Sequence, residues 1–440
     1  MPRRPAAMLM AVMSLCALPA FAAETPAPPP ALGALDALYP DLDKLYRELH
    51  QAPELSRQEE KTAAKLAARL RALGYDVTTQ VGGHGVVALL RNGAGPTVML
   101  RTEMDGLPVE EKTGLPYASK VTAVDDGGQR VSVMHACGHD VHMTSWMGTA
   151  MLLARARGQW RGTVMLVAQP AEEQGSGARQ MLEAGLFQRF PKPDFAVALH
   201  DSSTAEAGTV EYTPGFALAS VDSVDVTLYG KGGHGAYPQT TVDPVVMAAR
   251  TVLALQTLVS REKDPLEPAV VTVGSIHGGT KHNIIPDEVR LQLTVRSYKP
   301  EVRKRLLEGI ERIVKAEALA SNAPRPPTVS VTEGTPATYN EPALTQRLVS
   351  ALARALGDKN LRTAPPVMGG EDFSEYGRLG IPATLLWLGA VEPQRYAQAR
   401  QSGEPLPSLH SATFAPDRER TLRTGISALT TAALELLGRP

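Results

Sequence analysis

The chain is poor in cysteine, in aromatic side chains and in net charge. Of 440 residues two are cysteine and 5% are aromatic, and the formal charge is −1. Near-neutrality leaves no electrostatic footprint for nucleic acid, and so few aromatics offer no stacking platform for bases. Two cysteines cannot staple a disulfide scaffold. At 440 residues the chain exceeds what one core needs, so two domains are expected. Long apolar runs are missing except near the start. There Arg3 and Arg4 precede an apolar stretch over 6–21, and Ala20, Phe21 and Ala22 form a small-x-small pattern. This reads as a signal peptide over 1–22, cut after Ala22. The other reading, an uncleaved membrane anchor, is disfavoured because the run is short for a span. A Pro-rich lead-in follows over 23–35, disordered over 24–30. The expectation is a periplasmic or secreted protein, free of the membrane once cleaved.

Cleavage would remove Cys16 and leave Cys137 as the lone thiol. A lone thiol makes no intramolecular disulfide, and metal binding is one way to occupy it. Cys137 lies in a stretch over 134–142 that also holds His135, His139 and His142. Cys137 and His139 stand two apart across Gly138, a spacing wrong for one helix face. It suits a turn in which glycine lets the thiolate and the imidazole face one point. That pair suits zinc or another thiophilic divalent ion. The plainer reading is a buried cysteine near loop histidines.

Apolar strands expected over 97–101, 163–168 and 195–199 lead to Asp105, to Glu172 and Glu173, and to His200. They alternate with helices expected over 36–51, 59–73 and 140–156. This argues for an α/β fold with a mostly parallel central sheet, whose site lies beyond the carboxyl ends of the strands. Neighbouring side chains of an extended chain point opposite ways. One of Glu172 and Glu173 would then bind metal while the other acts as a general base. The plainer reading is a solvated acidic turn. Over 218–333 the order becomes β-α-β-β-α-β, a ferredoxin-like split unit set between residues 36–217 and 334–440.

Read together and in order, MHACGHD at 134–140, QPAEE at 169–173, GKGGH at 230–234, NIIPD at 283–287, MGGEDF at 368–373 and LHS at 409–411 resemble the M20 metallopeptidase family. The likeness is to its amidohydrolase branch of N-acyl-amino-acid amidohydrolases, hippurate hydrolases and indoleacetyl-amino-acid hydrolases. The resemblance implies a zinc-exopeptidase-like catalytic domain in two parts, 36–217 and 334–440, with 218–333 as a lid that also carries a homodimer contact. It implies two divalent ions, zinc foremost with manganese, cobalt or nickel possible, on Cys137, His139, Glu173, His200 and His410. Glu172 would be the base acting on metal-bound water. His234 on the lid would stabilise the oxyanion, often in the partner's site. Asn283 and Arg296 would hold substrate, and Gly370 would let backbone approach it closely. Asp105 would support a ligand from behind. The branch usually has aspartate where this chain has Glu103, whose role stays open, as do those of His135 and His142. His50, His84, His277 and His282 read as ordinary loop or helix-end residues.

The activity implied is hydrolysis of N-acyl amino acids to a carboxylic acid and an amino acid. The alternatives are a dipeptidase or carboxypeptidase of the same superfamily, and a non-catalytic binder of N-acyl amino acids.

Overall fold

The computed structural model describes residues 28–439. The leader expected over 1–22 lies outside the described residues. The end of the Pro-rich lead-in, past the stretch expected to be disordered over 24–30, takes up regular structure. Pro30–Ala34 forms a short 3-10 helix that buries Ala31 and runs directly into α1, Leu35–His50. Leucines 38, 42, 45 and 49 of α1 fall on one helical stripe and all are buried. Then follow α2 (Glu60–Ala72), β1 (Asp76–Thr78), β2 (Val86–Asn92), β3 (Thr97–Glu103), α3 (His139–Arg155), β4 (Gly162–Gln169), β5 (Phe195–Glu206) and β6 (Val210–Tyr212). Next come β7 (Ser220–Tyr229), α4 (Pro244–Arg261), β8 (Ala269–His277), β9 (Glu288–Ser297), α5 (Pro300–Ala320) and β10 (Thr328–Glu333). The chain closes with α6 (Pro342–Leu356), β11 (Leu361–Thr363), β12 (Ala383–Val391) and α7 (Arg418–Leu436).

The central sheet has eight strands in the order β1-β2-β4-β3-β5-β12-β6-β11. Its middle, β4-β3-β5-β12, is parallel, and antiparallel pairs occur toward both edges. Middle strands read as near-continuous apolar runs because both faces are covered. One face packs on α1, α2, α3 and α7 through Leu42, Leu66, Trp146 and Leu429. The other packs on the shorter helices through Met99, Val167, Met181 and Tyr376. Helix α3 is buried along nearly its whole length, which places its N-terminus in the interior.

The second sheet, β8-β9-β7-β10, is antiparallel and has α4 and α5 on one face. Strand β7 shows why: Val224, Val226 and Leu228 alternate inward against Met247, Leu258 and Ile310. Among the described residues no helix is long and apolar enough to cross a membrane.

Candidate active site

Gly138 takes φ 78°, in the left-handed region, and a Cβ there would come within 2.4 Å of Asp201 Oδ2. Glycine is therefore required for the turn that joins Cys137 to His139, the first residue of α3. His139 Nδ1 donates to the Asp105 carbonyl oxygen at 2.7 Å. That fixes the tautomer and leaves Nε2 facing inward with a lone pair. His200 is held the same way: Nδ1 donates to the Asp201 carbonyl oxygen at 2.9 Å, and Nε2 faces Cys137 Sγ at 3.4 Å. His200 is not at a strand end as expected. Strand β5 runs on through polar residues to Glu206, because β12 continues to pair with it.

The two glutamates also depart from expectation. They do not sit in extended backbone with side chains opposed. They follow Ala171, whose φ is 51° and whose N–H donates to Glu59 Oε1 at 2.8 Å, and they lie in a turn closed by Gly175 N–H on the Glu172 carbonyl. Both carboxylates therefore approach one imidazole. Glu172 Oε2 is 3.9 Å and Glu173 Oε1 3.8 Å from His139 Nε2. His410, although distant in sequence, is tied to the Cys137 turn by its N–H on the Ala136 carbonyl at 2.9 Å, and its Nε2 is 3.4 Å from Glu173 Oε2.

The expected donors thus meet. Ligand atoms of Cys137, His139 and His200 lie within 4.8 Å of one another, as do those of Cys137, Glu173 and His410, and of His139, Glu172 and Glu173. These groups fit a divalent cation. His139 Nε2 and Glu173 Oε1 are buried without a hydrogen-bond partner among the described residues. Burial and the neighbouring Glu173 and Glu172 carboxylates push the Cys137 thiol well above its ordinary value, and burial with Glu371 and Glu173 does the same to Glu172. A site with this many carboxylates and donors around a buried thiol suits a cation.

Glu103, left without a role by the sequence, belongs to a charged layer behind these donors. It meets Arg101 Nη1 at 2.5 Å and accepts from His142 Nδ1 at 3.2 Å. Arg101 also donates to Glu371 at 2.8 Å and Asp372 at 2.7 Å. Burial opposes the guanidinium's charge, and these three carboxylates overcome it. Burial likewise opposes a charge on His142 while Glu103 and Asp201 favour one. Geometry decides for the neutral ring, since the Asp201 N–H donates to His142 Nε2 at 2.8 Å and needs a lone pair there. Asp105 Oδ2 accepts from Ser56 Oγ at 2.6 Å and from the Glu173 N–H at 3.0 Å. His135 is buried, with neither ring nitrogen partnered among the described residues.

A cavity of about 940 Å³ opens onto this cluster, with Glu172, Cys137, His200, Arg296 and Gly370 in its wall. Arg296 donates to the Met368 carbonyl at 2.8 Å. At Gly370 a Cβ would meet Val221 Cγ2 at 2.4 Å, so packing against Val221 already favours glycine there. His234 and Asn283 do not line the cavity. They lie exposed on a ribbon where His234 pairs with Ile284, and His234 Nδ1 accepts from the Ala236 N–H at 3.0 Å.

The model of peptidase family M20/M25/M40 matches residues 99–404. The chain is 37% identical over 360 residues to N-acetyl-L-cysteine deacetylase of Bacillus subtilis, covering 81% of this chain and 82% of that protein. It is 36% identical over 351 residues to thermostable carboxypeptidase 1 of Saccharolobus solfataricus, covering 79% and 85%. A crystal structure from Bacillus subtilis, described as a dinuclear metal-binding peptidase of the M20 family, matches with a TM-score of 0.74 at 29% identity, covering 91% of this chain and 100% of that one.

Proposed function

The chain belongs to peptidase family M20/M25/M40 and is a hydrolase, and on that premise we propose that it is a metal-dependent amidohydrolase that splits N-acyl amino acids into a carboxylic acid and an amino acid. The observation that carries this reading is the meeting of one thiol, three imidazoles and Glu173 around unpartnered buried donor atoms, with Glu172 beside them at the floor of the cavity. Cys137, His139 and His200 would hold one divalent cation. Cys137, Glu173 and His410 would hold a second. Zinc suits the thiolate and imidazole donors best, with manganese, cobalt or nickel as substitutes. Bound there, the cations would supply Lewis acidity, acidifying a water and polarising the scissile carbonyl. Glu172 takes the proton of the attacking water and returns it to the leaving amine. The charged layer of Arg101 and Glu103 keeps His142 and β3 fixed behind the ligands. Arg296, in the cavity wall, offers a guanidinium to the substrate carboxylate.

His234 and Asn283 enter through a second copy. We assign the dimer contact to the unit of β7–β10, whose edge strand β8 is unpaired on one side among the described residues and which exposes Val246, Leu253 and Ile276.

The similarity to a carboxypeptidase favours a second reading, cleavage of a C-terminal residue from a peptide. A panel of acetyl-, benzoyl- and free dipeptide substrates separates the two. For the main reading, Glu172→Gln on metal-loaded protein should keep its metal content while turnover falls by about 10²–10⁴-fold. Turnover near that of the unaltered protein defeats the assignment.

A further inference from the structure

One end of the central sheet carries a row of side chains that the proposed chemistry does not use. His200 on β5 is in register with Trp387 on β12, Trp387 with Glu211 on β6, and Glu211 with Arg362 on β11. Residues directly opposite across strands place their side chains on the same face. The row therefore starts at an imidazole of the candidate metal site, crosses an indole and reaches a carboxylate. The rings of His200 and Trp387 meet edge to face with centroids 5.4 Å apart. His200, Trp387 and Glu211 all line the cavity. Glu211 stands two strand spacings, about 10 Å, from the His200 backbone.

The half-buried Glu211 carboxylate makes no hydrogen bond and no ion pair among the described residues. Two other acids of the cavity wall, away from the candidate metal cluster, are matched, Glu371 by Arg101 and Glu333 by Arg378. Arg362, the cation in register with Glu211, is engaged elsewhere. Its Nη2 donates to Glu206 Oε2 at 3.0 Å and its Nη1 to the Tyr396 hydroxyl at 3.3 Å. Burial raises the Glu211 carboxyl above its ordinary value, and Arg362 offsets only part of this. A half-buried carboxylate with no protein partner is left to water alone, and a bound cation would satisfy it. A carboxylate next to an indole is a suitable receptor for an ammonium or guanidinium group, through ion pairing and attraction to the ring face.

We propose that Glu211, with Trp387 as the wall leading to it, selects N-acyl amino acids that carry a positively charged group on an arm about as long as a lysine side chain. This rests on the amidohydrolase reading and adds the substrate class to it. The cation can belong to the amino acid or to the acyl group, since either arm can lie along the indole.

The test compares kcat/KM of the metal-loaded full chain on two matched pairs. Nα-acetyl-lysine is set against Nα-acetyl-norleucine, and 6-aminohexanoyl-glycine against hexanoyl-glycine. The expected result is a preference for the cationic member of one pair by about tenfold to a hundredfold, the range of a hydrogen bond to a charged group. In Glu211→Gln the ratio within that pair should fall to near one. The pair that shows the effect tells which part of the substrate bears the charge. Hydrolysis of both pairs without preference, or a preference that survives Glu211→Gln, overturns the proposal and leaves the amidohydrolase reading standing. Failure to hydrolyse any of the four removes that reading instead. Calorimetric binding of the same compounds to both proteins then decides for Glu211: a cation preference lost in Glu211→Gln supports it, and equal binding of charged and neutral members overturns it.

Discussion

His50 shows how far a single residue can depart from the plain reading of its position. It closes α1, as a helix-end histidine should, yet it is almost wholly buried and faces two carboxylates. Nδ1 meets Asp140 Oδ2 at 2.6 Å and Nε2 meets Glu111 Oε1 at 3.0 Å. Burial alone would lower its pKa. The two carboxylates outweigh burial and raise it to about 10. The folded state thus binds this proton more tightly than the unfolded chain, where histidine titrates near 6.5. Its stabilisation is complete below about pH 6.5 and is lost as pH rises toward about 10. Replacing it leaves two buried carboxylates without their cation, a loss of about 3–5 kcal/mol below neutrality. Urea unfolding of His50→Gln should show that loss at pH 6 and a flatter stability profile between pH 6.5 and 10 than the unaltered protein. Parallel profiles would refute the ion triad. The donors Cys137, His139, Glu173 and His410 are legible because each sits in a short distinctive segment, and His200 because an apolar run leads into it. The partners of His50, Glu103 and His142 were not, because Glu111 and Asp201 lie in segments with no local pattern that points to them.

At the scale of elements, long periodic segments were readable and the short strands of the far sheet edge were not. The helix expected over 36–51 and the apolar strands expected over 97–101 and 163–168 fall within a few residues of α1, β3 and β4. The three-residue strands β6 and β11 carry too little period to detect, and they complete the sheet edge that holds Glu211. Strand β5 was read short because Ser202, Ser203 and Thr204 resemble loop, and only pairing with β12 makes them strand. Helix packing adds a sharper case. Gly425 of α7 lies against α3, where an added Cβ would come 2.5 Å from Ser145 Oγ and 2.9 Å from Leu388 Cδ2. Gly148 of α3 faces Ile426 equally closely, at 2.7 Å. In an exposed helix, glycine to alanine gains about 0.5–1 kcal/mol. Here the sign should reverse, because the buried crossing has no room and overpacking costs about 1–3 kcal/mol. Thermal unfolding of Gly425→Ala should occur at lower temperature with helical content retained. A rise in Tm would mean the two helices can separate freely.

At the scale of the molecule, the cavity has walls from both sheets, so the unit of β7–β10 must be held at a defined angle to the central one. The chain enters and leaves that unit side by side, the Val221 N–H donating to the Thr335 carbonyl at 2.9 Å. Arg179 of the larger body grips the exit, donating to the Gly334 carbonyl at 2.6 Å and to Glu375 at 3.0 Å. With the unit so fixed, the ribbon of His234 and Asn283 stays exposed and outside its own cavity. A second copy related by a two-fold axis would bring each ribbon to the other's site, since such an interface is reciprocal. The exposed Val246, Leu253 and Ile276 of the same unit then become buried surface. Two measurements follow. Light scattering at micromolar concentration should give twice the mass of one chain. Glu172→Gln and His234→Ala, each inactive alone, should recover activity after mixing and subunit exchange, because a mixed dimer holds one site with Glu172 from one copy and His234 from the other. Random exchange at equal amounts makes half the dimers mixed, with one working site in two, so about a quarter of full activity is expected. A monomer in scattering would remove the dimer, and a scattering dimer without recovery would place His234's action within its own chain.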